Sequence, residues 1–302
     1  MDRLLSMRTF SKVVDDGSFA AAARHMALNQ AVVTRLVADL EAHLGTRLLH
    51  RTTRSLSLTD AGERYLQRCR QILADIDAAE EATSDGEMRI GGRVRLAVPA
   101  YFGLEMMAPR GPKFRSQYPD IVLDISLLDR PVDLVTEGFD IAIIPSSFSV
   151  PNSLIARSLG KKSIALCASP AYLQSAGTPS RPDQLPEHAC IGYNQFAPRE
   201  QWRLVHANGD VVSVPVNYIL QTNSLAFVQQ SVRAGLGIGP QVQYNLRPQI
   251  SKGDLVPVLP EWQLGNFELN IVYPSREYLP KRIRAVIDFF IEERDAIAAE
   301  CG

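Results

Sequence analysis

No stretch of the 302 residues approaches the length of an apolar membrane span, and Met1 to Phe10 is broken by Asp2, Arg3 and Arg8. A secretory leader needs an uninterrupted apolar segment there, so the expectation is a cytoplasmic protein with no membrane partner. Cysteine is scarce: Cys69, Cys167, Cys190 and Cys301 lie far apart, in neither a Cys-x-x-Cys pair nor a zinc spacing. A disulfide framework or a structural metal is therefore not expected. The five histidines include no His-Glu-x-x-His, and Ser169 stands in no nucleophile elbow. The chain thus carries no enzyme signature and calls for no cofactor. Gly235-Leu236-Gly237-Ile238-Gly239 lacks the G-x-G-x-x-G spacing and runs into Pro240, which makes it a turn between helix and strand rather than a nucleotide loop. Net charge is also nearly absent, at −1, so any basic surface must be local.

What is present is an ordinary globular composition, 46% hydrophobic and 22% charged, in a chain longer than one core usually supports. Two or three units follow from that length. The basic charge is concentrated in Arg47, His50, Arg51 and Arg54, with no acidic residue between the first and the last. Asp75, Asp77, Glu80, Glu81, Asp85 and Glu87 follow.

Leu4, Leu5, Phe10, Val13 and Val14 recur at helical spacing, and Gly17 stops that helix. Ser18 is placed to cap a second helix, Phe19 to Met26, whose Ala20 to Ala23 let a neighbour approach closely. Asn29 caps a third, on which Val32, Val33, Leu36, Val37 and Leu40 form an inward stripe and Gln30, Thr34, Arg35 and Asp39 face outward. A short helix, a tight turn and a longer helix with a polar outer face is how a reading helix is presented to the major groove of double-stranded DNA. Gln30 can pair with adenine, Thr34 can touch a base edge or a thymine methyl, and Arg35 can reach phosphate or guanine. A three-helix bundle with a solvated face satisfies the same pattern.

Leu56 and Leu58 alternate with Ser55 and Ser57, as a half-buried strand does, and with Arg47 to His50 they predict two short strands around a turn that presents Arg51, Thr52, Thr53 and Arg54. Guanidinium groups there would supply affinity and salt dependence, although the arginines alone also fit a solvated cluster. From Thr59 or Asp60 a proline-free helix runs to about Asp85. Tyr65, Cys69, Ile72, Ile76 and Ala79 step by heptad spacing, flanked by Leu66 and Leu73. That seam would pair two chains, or pack the helix on its own domain.

The segment GSFAAAARHMALNQAVVTRLVADLEAHLGTRLLHRTTRSLSLTDAGE resembles the DNA-binding end of the LysR-type transcriptional regulators. Asn29-Gln30-Ala31-Val32-Val33-Thr34 stands where that family usually has Ser-Gln-Pro/Ser-Ala-Val/Leu-Ser, so Ala31 and Thr34 alter the reading surface. Further on, YPDIVLDISLLD, DLVTEGFDIAI, LCASPAYL and AGLGIG match typical phrases of the family's effector domain. The alternation of strands at Val94–Val98, Ile121–Leu127 and Asp140–Ile144 with helices at Met106–Arg115 and Val132–Glu137 predicts a largely parallel sheet. Ile164–Ala168, Leu269–Tyr273 and a helix from Pro280 to Ala299 complete it.

The resemblance implies an α/β fold with an N-terminal all-α winged helix-turn-helix, joined by a long linker helix to a two-lobed, periplasmic-binding-protein-like effector domain. The expected boundaries are 1–59 for the DNA-binding domain, 60–89 for the linker and dimerisation helix, and 90–302 for the effector domain, with lobe I at about 90–161 and 267–302 and lobe II at about 162–266. It implies DNA contacts from Gln30, Ala31, Thr34, Arg35, Arg51, Thr52, Thr53 and Arg54. Strand ends and helix starts are where open α/β folds take ligands. By analogy with the family, Tyr101, Phe102, Ser146, Ser147, Trp202, Thr222 and Asn223 become the effector-site candidates. Many relatives carry an arginine just after the strand that here ends Ile143-Ile144-Pro145; its absence weakens a carboxylate clamp, and Tyr101, Phe102 and Phe148 suit an aromatic or partly apolar ligand. The partners implied are promoter or operator DNA, a small-molecule effector, further copies in a homodimer or homotetramer, and RNA polymerase. A solute-binding protein with the same two lobes, or an enzyme with a helical appendage, are the competing classes.

Overall fold

The computed structural model describes residues 2–51, 56–83, 90–194, 201–242, 246–275 and 279–299. It divides into two compact units, one of Met1–Ile90 with Asp133–Phe139 and Arg276–Arg284, the other of Gly91–Val132, Asp140–Ser275 and Ala285–Gly302.

In the first unit each helix begins where a short polar side chain takes an otherwise unpaired backbone N–H. Asp2 accepts from Leu5 N ahead of α1 (Arg3–Asp15), Ser18 from Ala21 N ahead of α2 (Phe19–His25), and Asn29 from Ala31 N ahead of α3 (Gln30–Leu44). The alanines of α2 bring it close to α3, with Ala22 and Ala23 buried among Phe10, Val13, Val33, Val37 and Leu40. A hairpin of β1 (Leu49–Arg51) and β2 (Leu56–Leu58) follows, antiparallel with Leu49 opposite Leu58 and Arg51 opposite Leu56.

Thr59 then does two jobs: its Oγ1 donates to Arg47 O at 2.8 Å and accepts from Gly62 N at 2.9 Å, capping α4 (Asp60–Thr83). The seam expected on α4 is partly spent within its own chain. Tyr65 packs on Phe10 with ring centroids 6.1 Å apart, and Leu66, Cys69 and Leu73 are buried. Burial pushes the Cys69 thiol up to about 11, an unreactive state. Ile72, by contrast, is 41% exposed. One face of the helix as far as Leu73 completes the core of this unit, and Ile72 lies on the exposed side.

The second unit is built on a seven-stranded mixed sheet. Its first part is β3 (Gly91–Val98), a helical run made of α5 (Ala100–Phe102), a π-helical stretch Gly103–Met107 and α6 (Ala108–Gln117), then β4 (Asp120–Leu127) and, after α7 (Leu134–Glu137), which counts with the first unit, β5 (Ile141–Pro145). β3 pairs in parallel with β4 and with β5, so the carboxyl ends of all three lie along one edge. β6 is a 15-residue strand, Leu154–Ala168, of which only Ile164–Ala168 read as strand from its side chains; Arg157, Lys161 and Gly160 mask the rest.

The chain continues through α8 (Pro170–Ala176), β7 (Ala189–Tyr193), β8 (Gln201–His206), β9 (Val211–Pro215), β10 (Asn217–Thr222), α9 (Leu225–Arg233), β11 (Gly239–Val242), α10 (Leu246–Ser251), β12 (Val256–Val258) and β13 (Trp262–Gln263). It ends in β14 (Gly265–Pro274) and α11 (Lys281–Ala299). β14 inserts between β5 and β6, antiparallel to both, giving the order β11-β6-β14-β5-β3-β4, with β12 as the seventh strand, pairing antiparallel with β6 off this path. The sheet is therefore less parallel than its alternating start suggests, because two long strands carry the chain across it in opposite directions.

Phe289 of α11 stands edge-on to Phe114 at 5.1 Å. On the same helix Glu293 is held by Lys113 and by Arg110 Nε at 3.0 Å, and these cations keep its carboxyl below the usual range. The glycines of AGLGIG serve packing: Gly235 has φ +85°, and a Cβ on Gly237 would come within 2.3 Å of Ala189 O.

A Cβ on Gly62 would lie 2.0 Å from Leu48 O, a backbone atom that cannot step aside. Gly62→Ala is expected to lower the thermal midpoint of the first unit by the equivalent of about 1–3 kcal/mol. Gly111→Ala, with nothing within 4 Å of the new methyl, should be neutral or stabilising by up to about 1 kcal/mol. Equal midpoints for the two variants would contradict the close approach of α4 to the hairpin.

Candidate nucleic-acid interface and ligand cleft

The outward face of α3 begins immediately after its cap. Gln30, Ala31 and Arg35 are exposed, and the Arg35 side chain, 84% exposed, meets Asp39 only at 3.9 Å, a loose contact that leaves the guanidinium free to move. Thr34 is half-buried and its Oγ1 donates to Gln30 O at 2.9 Å, so the hydroxyl proton is engaged by its own helix. Val32 departs from the stripe expected of it. The inward line is Val33, Val37 and Leu40, and Val32, one position early, is turned out and 44% exposed.

One side chain missed in the sequence fixes the hairpin to this helix. Glu41, near the end of α3, accepts hydrogen bonds from Leu48 N at 2.8 Å and Leu49 N at 3.1 Å through Oε1. These N–H groups lead into β1, where Leu48 and Leu49 are both buried. A charged acceptor for two backbone donors holds more firmly than neutral pairs. Its only signal in the sequence is an acidic residue on the inner flank of a helix that precedes a basic segment. Arg51 contributes its backbone to β1; Thr52, Thr53 and Arg54 lie outside the described residues.

In the second unit the shared edge of β3, β4 and β5 opens onto a narrow crevice, whose accessible volume of about 10 Å³ is that of a single water. Its walls are Ala97, Pro99, Leu128, Val132, Ile143, Ile144, Pro145 and Phe148, and Asp129, Arg130 and Tyr193 supply the polar groups. Asp129 Oδ1 accepts from Ala100 N at 3.0 Å, where the helical run after β3 begins. Tyr193 ends β7; burial first, and the Asp129 carboxylate second, push its hydroxyl up, so it stays neutral near pH 7. Arg130 Nη1 donates to Pro131 O at 3.0 Å.

None of the seven effector-site candidates is among the residues that line this crevice. Tyr101 and Phe102 are each 4% exposed, and Phe102 packs 6.3 Å from Phe290. Ser146 and Ser147 are exposed, with Ser146 N donating to Glu268 O at 2.7 Å. Trp202, 1% exposed, belongs to a separate apolar cluster with Leu166, Leu185 and Leu204 and stands edge-on to Tyr218. Thr222 accepts from Ser224 N through Oγ1 and from Asn194 N through its carbonyl, and Asn223 is exposed. Chain neighbours of four candidates do supply wall residues: Pro99, close before Tyr101 and Phe102, and Pro145 and Phe148, on either side of Ser146 and Ser147. Asp129 and Tyr193 sit at or just beyond strand ends, and applying the strand-end rule to every strand would have found them.

Two family descriptions match the chain: "Bacterial regulatory helix-turn-helix protein, lysR family" over residues 4–63 and "LysR substrate binding domain" over residues 89–295. An HTH-type transcriptional repressor of Pseudomonas aeruginosa is 35% identical over 302 residues, covering 97% of this chain and 92% of its own. The HTH-type transcriptional regulator CrgA of Neisseria meningitidis is 32% identical over 290 residues, 95% of each chain. The solved structure of CrgA covers 96% of this chain and 98% of that one with a TM-score of 0.62. Full-length AphB, a virulence activator of Vibrio cholerae, covers 96% and 98% with a TM-score of 0.58. The chain belongs to the LysR family of bacterial transcriptional regulators, DNA-binding proteins with an effector-binding domain.

Glu41→Ala should remove both N–H contacts at once, destabilising the first unit by about 2 kcal/mol and weakening duplex binding although every outward residue of α3 is intact. Urea denaturation followed by a gel shift checks this. Unchanged affinity would show that the hairpin needs no tie to α3.

Proposed function

We propose that this chain is a cytoplasmic, ligand-responsive transcriptional regulator that reads promoter or operator DNA with α3 and grips the phosphates with the β1–β2 hairpin. The observation that carries this is the Glu41 link, which presents an amide-bearing helix face and a basic hairpin as one rigid piece. Gln30 and Ala31 meet base edges, Thr34 flanks them, and Arg35, Arg51, Thr52, Thr53 and Arg54 serve phosphates or a narrow groove. Residues 1–59 act as the DNA-binding domain, 60–89 as linker and 90–302 as effector domain. Homodimers or homotetramers present two such surfaces to paired half-sites, joined through the later part of α4, where Ile72 is exposed. RNA polymerase is the downstream partner.

The crevice at the strand ends is the proposed effector site; of the candidates, Tyr101, Phe102, Ser146 and Ser147 follow the strands β3 and β5 that end there, whereas Thr222 ends β10, Asn223 follows it and Trp202 belongs to a separate core. Asp129 already takes the Ala100 N–H that a ligand carboxylate would seek. Apolar walls beside a carboxylate and a neutral phenol, with the Arg130 guanidinium turned to Pro131 O, favour an effector with an apolar or aromatic body and a hydrogen-bond donor. Such a ligand regulates only by binding one arrangement of the assembly better than another.

On a duplex selected by the full chain from a random pool, Gln30→Ala should change sequence preference, whereas Arg35→Ala and Arg51→Ala should weaken binding to all sequences and reduce the salt slope by about 1 each. Gel shifts across salt concentrations separate the two behaviours, and indifference of all three variants would dismiss the assignment. For the effector, a thermal-shift screen of aromatic amines, neutral aromatics and aromatic acids should give stabilisation by donors that Asp129→Asn diminishes. Stabilisation by acids alone, unaltered in Asp129→Asn, would contradict the ligand class.

A further inference from the structure

The outward face of α3 is not wholly polar. Val32 stands on it beside Ala31, in the first turn after the Asn29 cap, with Gln30 before them and Arg35 one turn on. A single exposed valine on a protein surface needs no explanation. This one occupies the helix start, the part of a reading helix that reaches base edges, and it is β-branched where alanine would make the better helix. Its neighbours also say what it should meet. Gln30 offers a donor and an acceptor, Arg35 a mobile cation, and Ala31 with Val32 a small patch that can neither donate nor accept. In the major groove one group alone rewards contact with such a patch, the C5-methyl of thymine.

We infer that Val32 is a specificity-determining residue that reads a thymine methyl through apolar contact, with Ala31 allowing the backbone close approach. The inference rests on the proposal that α3 enters the major groove, and it adds a base-reading role at a position whose side chain the sequence pattern assigns to the core.

The test uses the full chain and a duplex it selects from a random pool, with each thymine of the bound site replaced singly by deoxyuridine, which removes only the methyl. For the unaltered chain, at least one replacement per half-site should weaken binding about fourfold, the value of burying one methyl-sized group. Val32→Ala, a surface change toward a better helix former, should fold normally by thermal melt, bind the thymine duplex several-fold more weakly and ignore that same replacement. Val32→Ile should keep the discrimination.

If no deoxyuridine replacement affects the unaltered chain, or if Val32→Ala keeps the full penalty at every position, the inference is overturned. Gln30→Ala and Arg35→Ala on the same duplexes separate this failure from a broader one. If they still alter binding while Val32→Ala behaves as the unaltered chain, only the methyl contact is lost; if all three are silent, α3 is not in the groove at all.

Discussion

The carboxylate of Glu41 is the constraint on which the DNA-binding unit depends. A reading helix and a basic hairpin are separately common and separately weak; their value lies in a fixed relative position, because affinity from phosphates and selectivity from bases add only when both reach the duplex together. Leu48 and Leu49 are buried at the entry to β1, and their N–H groups would be left without partners if the carboxylate were withdrawn. Thr59 reinforces the same junction by bonding Arg47 O and capping α4, and Gly62 lets α4 come against the Leu48 carbonyl. Helix, hairpin and linker therefore meet within a few residues.

The second unit is organised by a different constraint, the alignment of three parallel strand ends. Parallel pairing of β3 with β4 and β5 places Pro99, Asp129 and Pro145 along one edge. Asp129 then occupies the backbone donor at the start of the helical run, which turns a position commonly suited to anions into an acidic one. Tyr193, kept neutral by burial and by that carboxylate, adds a hydroxyl that can give or accept a hydrogen bond.

Much of this was legible in the residues. Ser18, Asn29 and Thr59 announced three helix starts because capping is local chemistry, and the alanines of α2 announced close packing. The strands of the second unit were visible where apolar residues ran together. Four features were not legible, each because it depends on what lies opposite a side chain rather than beside it in the chain. Val32 matched the inward period loosely and turned out to face away. Tyr65 and Cys69 matched a seam for a second chain and instead complete their own core. The charged opening of β6 did not read as strand until β14 supplied its ladder. Trp202 stood among the effector-site candidates by analogy with the family, yet its size is used in a core with Leu166 and Leu204.

The central claim, that α3 and the hairpin contact one duplex as a single body, is most directly tested by photo-crosslinking. A benzophenone side chain placed in the full chain at Ala31, and separately at Ser57 on β2, would be irradiated on a selected duplex. The account predicts crosslinks from Ala31 to bases within a half-site and from Ser57 to the backbone within about half a helical turn of them. Crosslinks from only one of the two positions, or from the two to distant parts of the duplex, would contradict it.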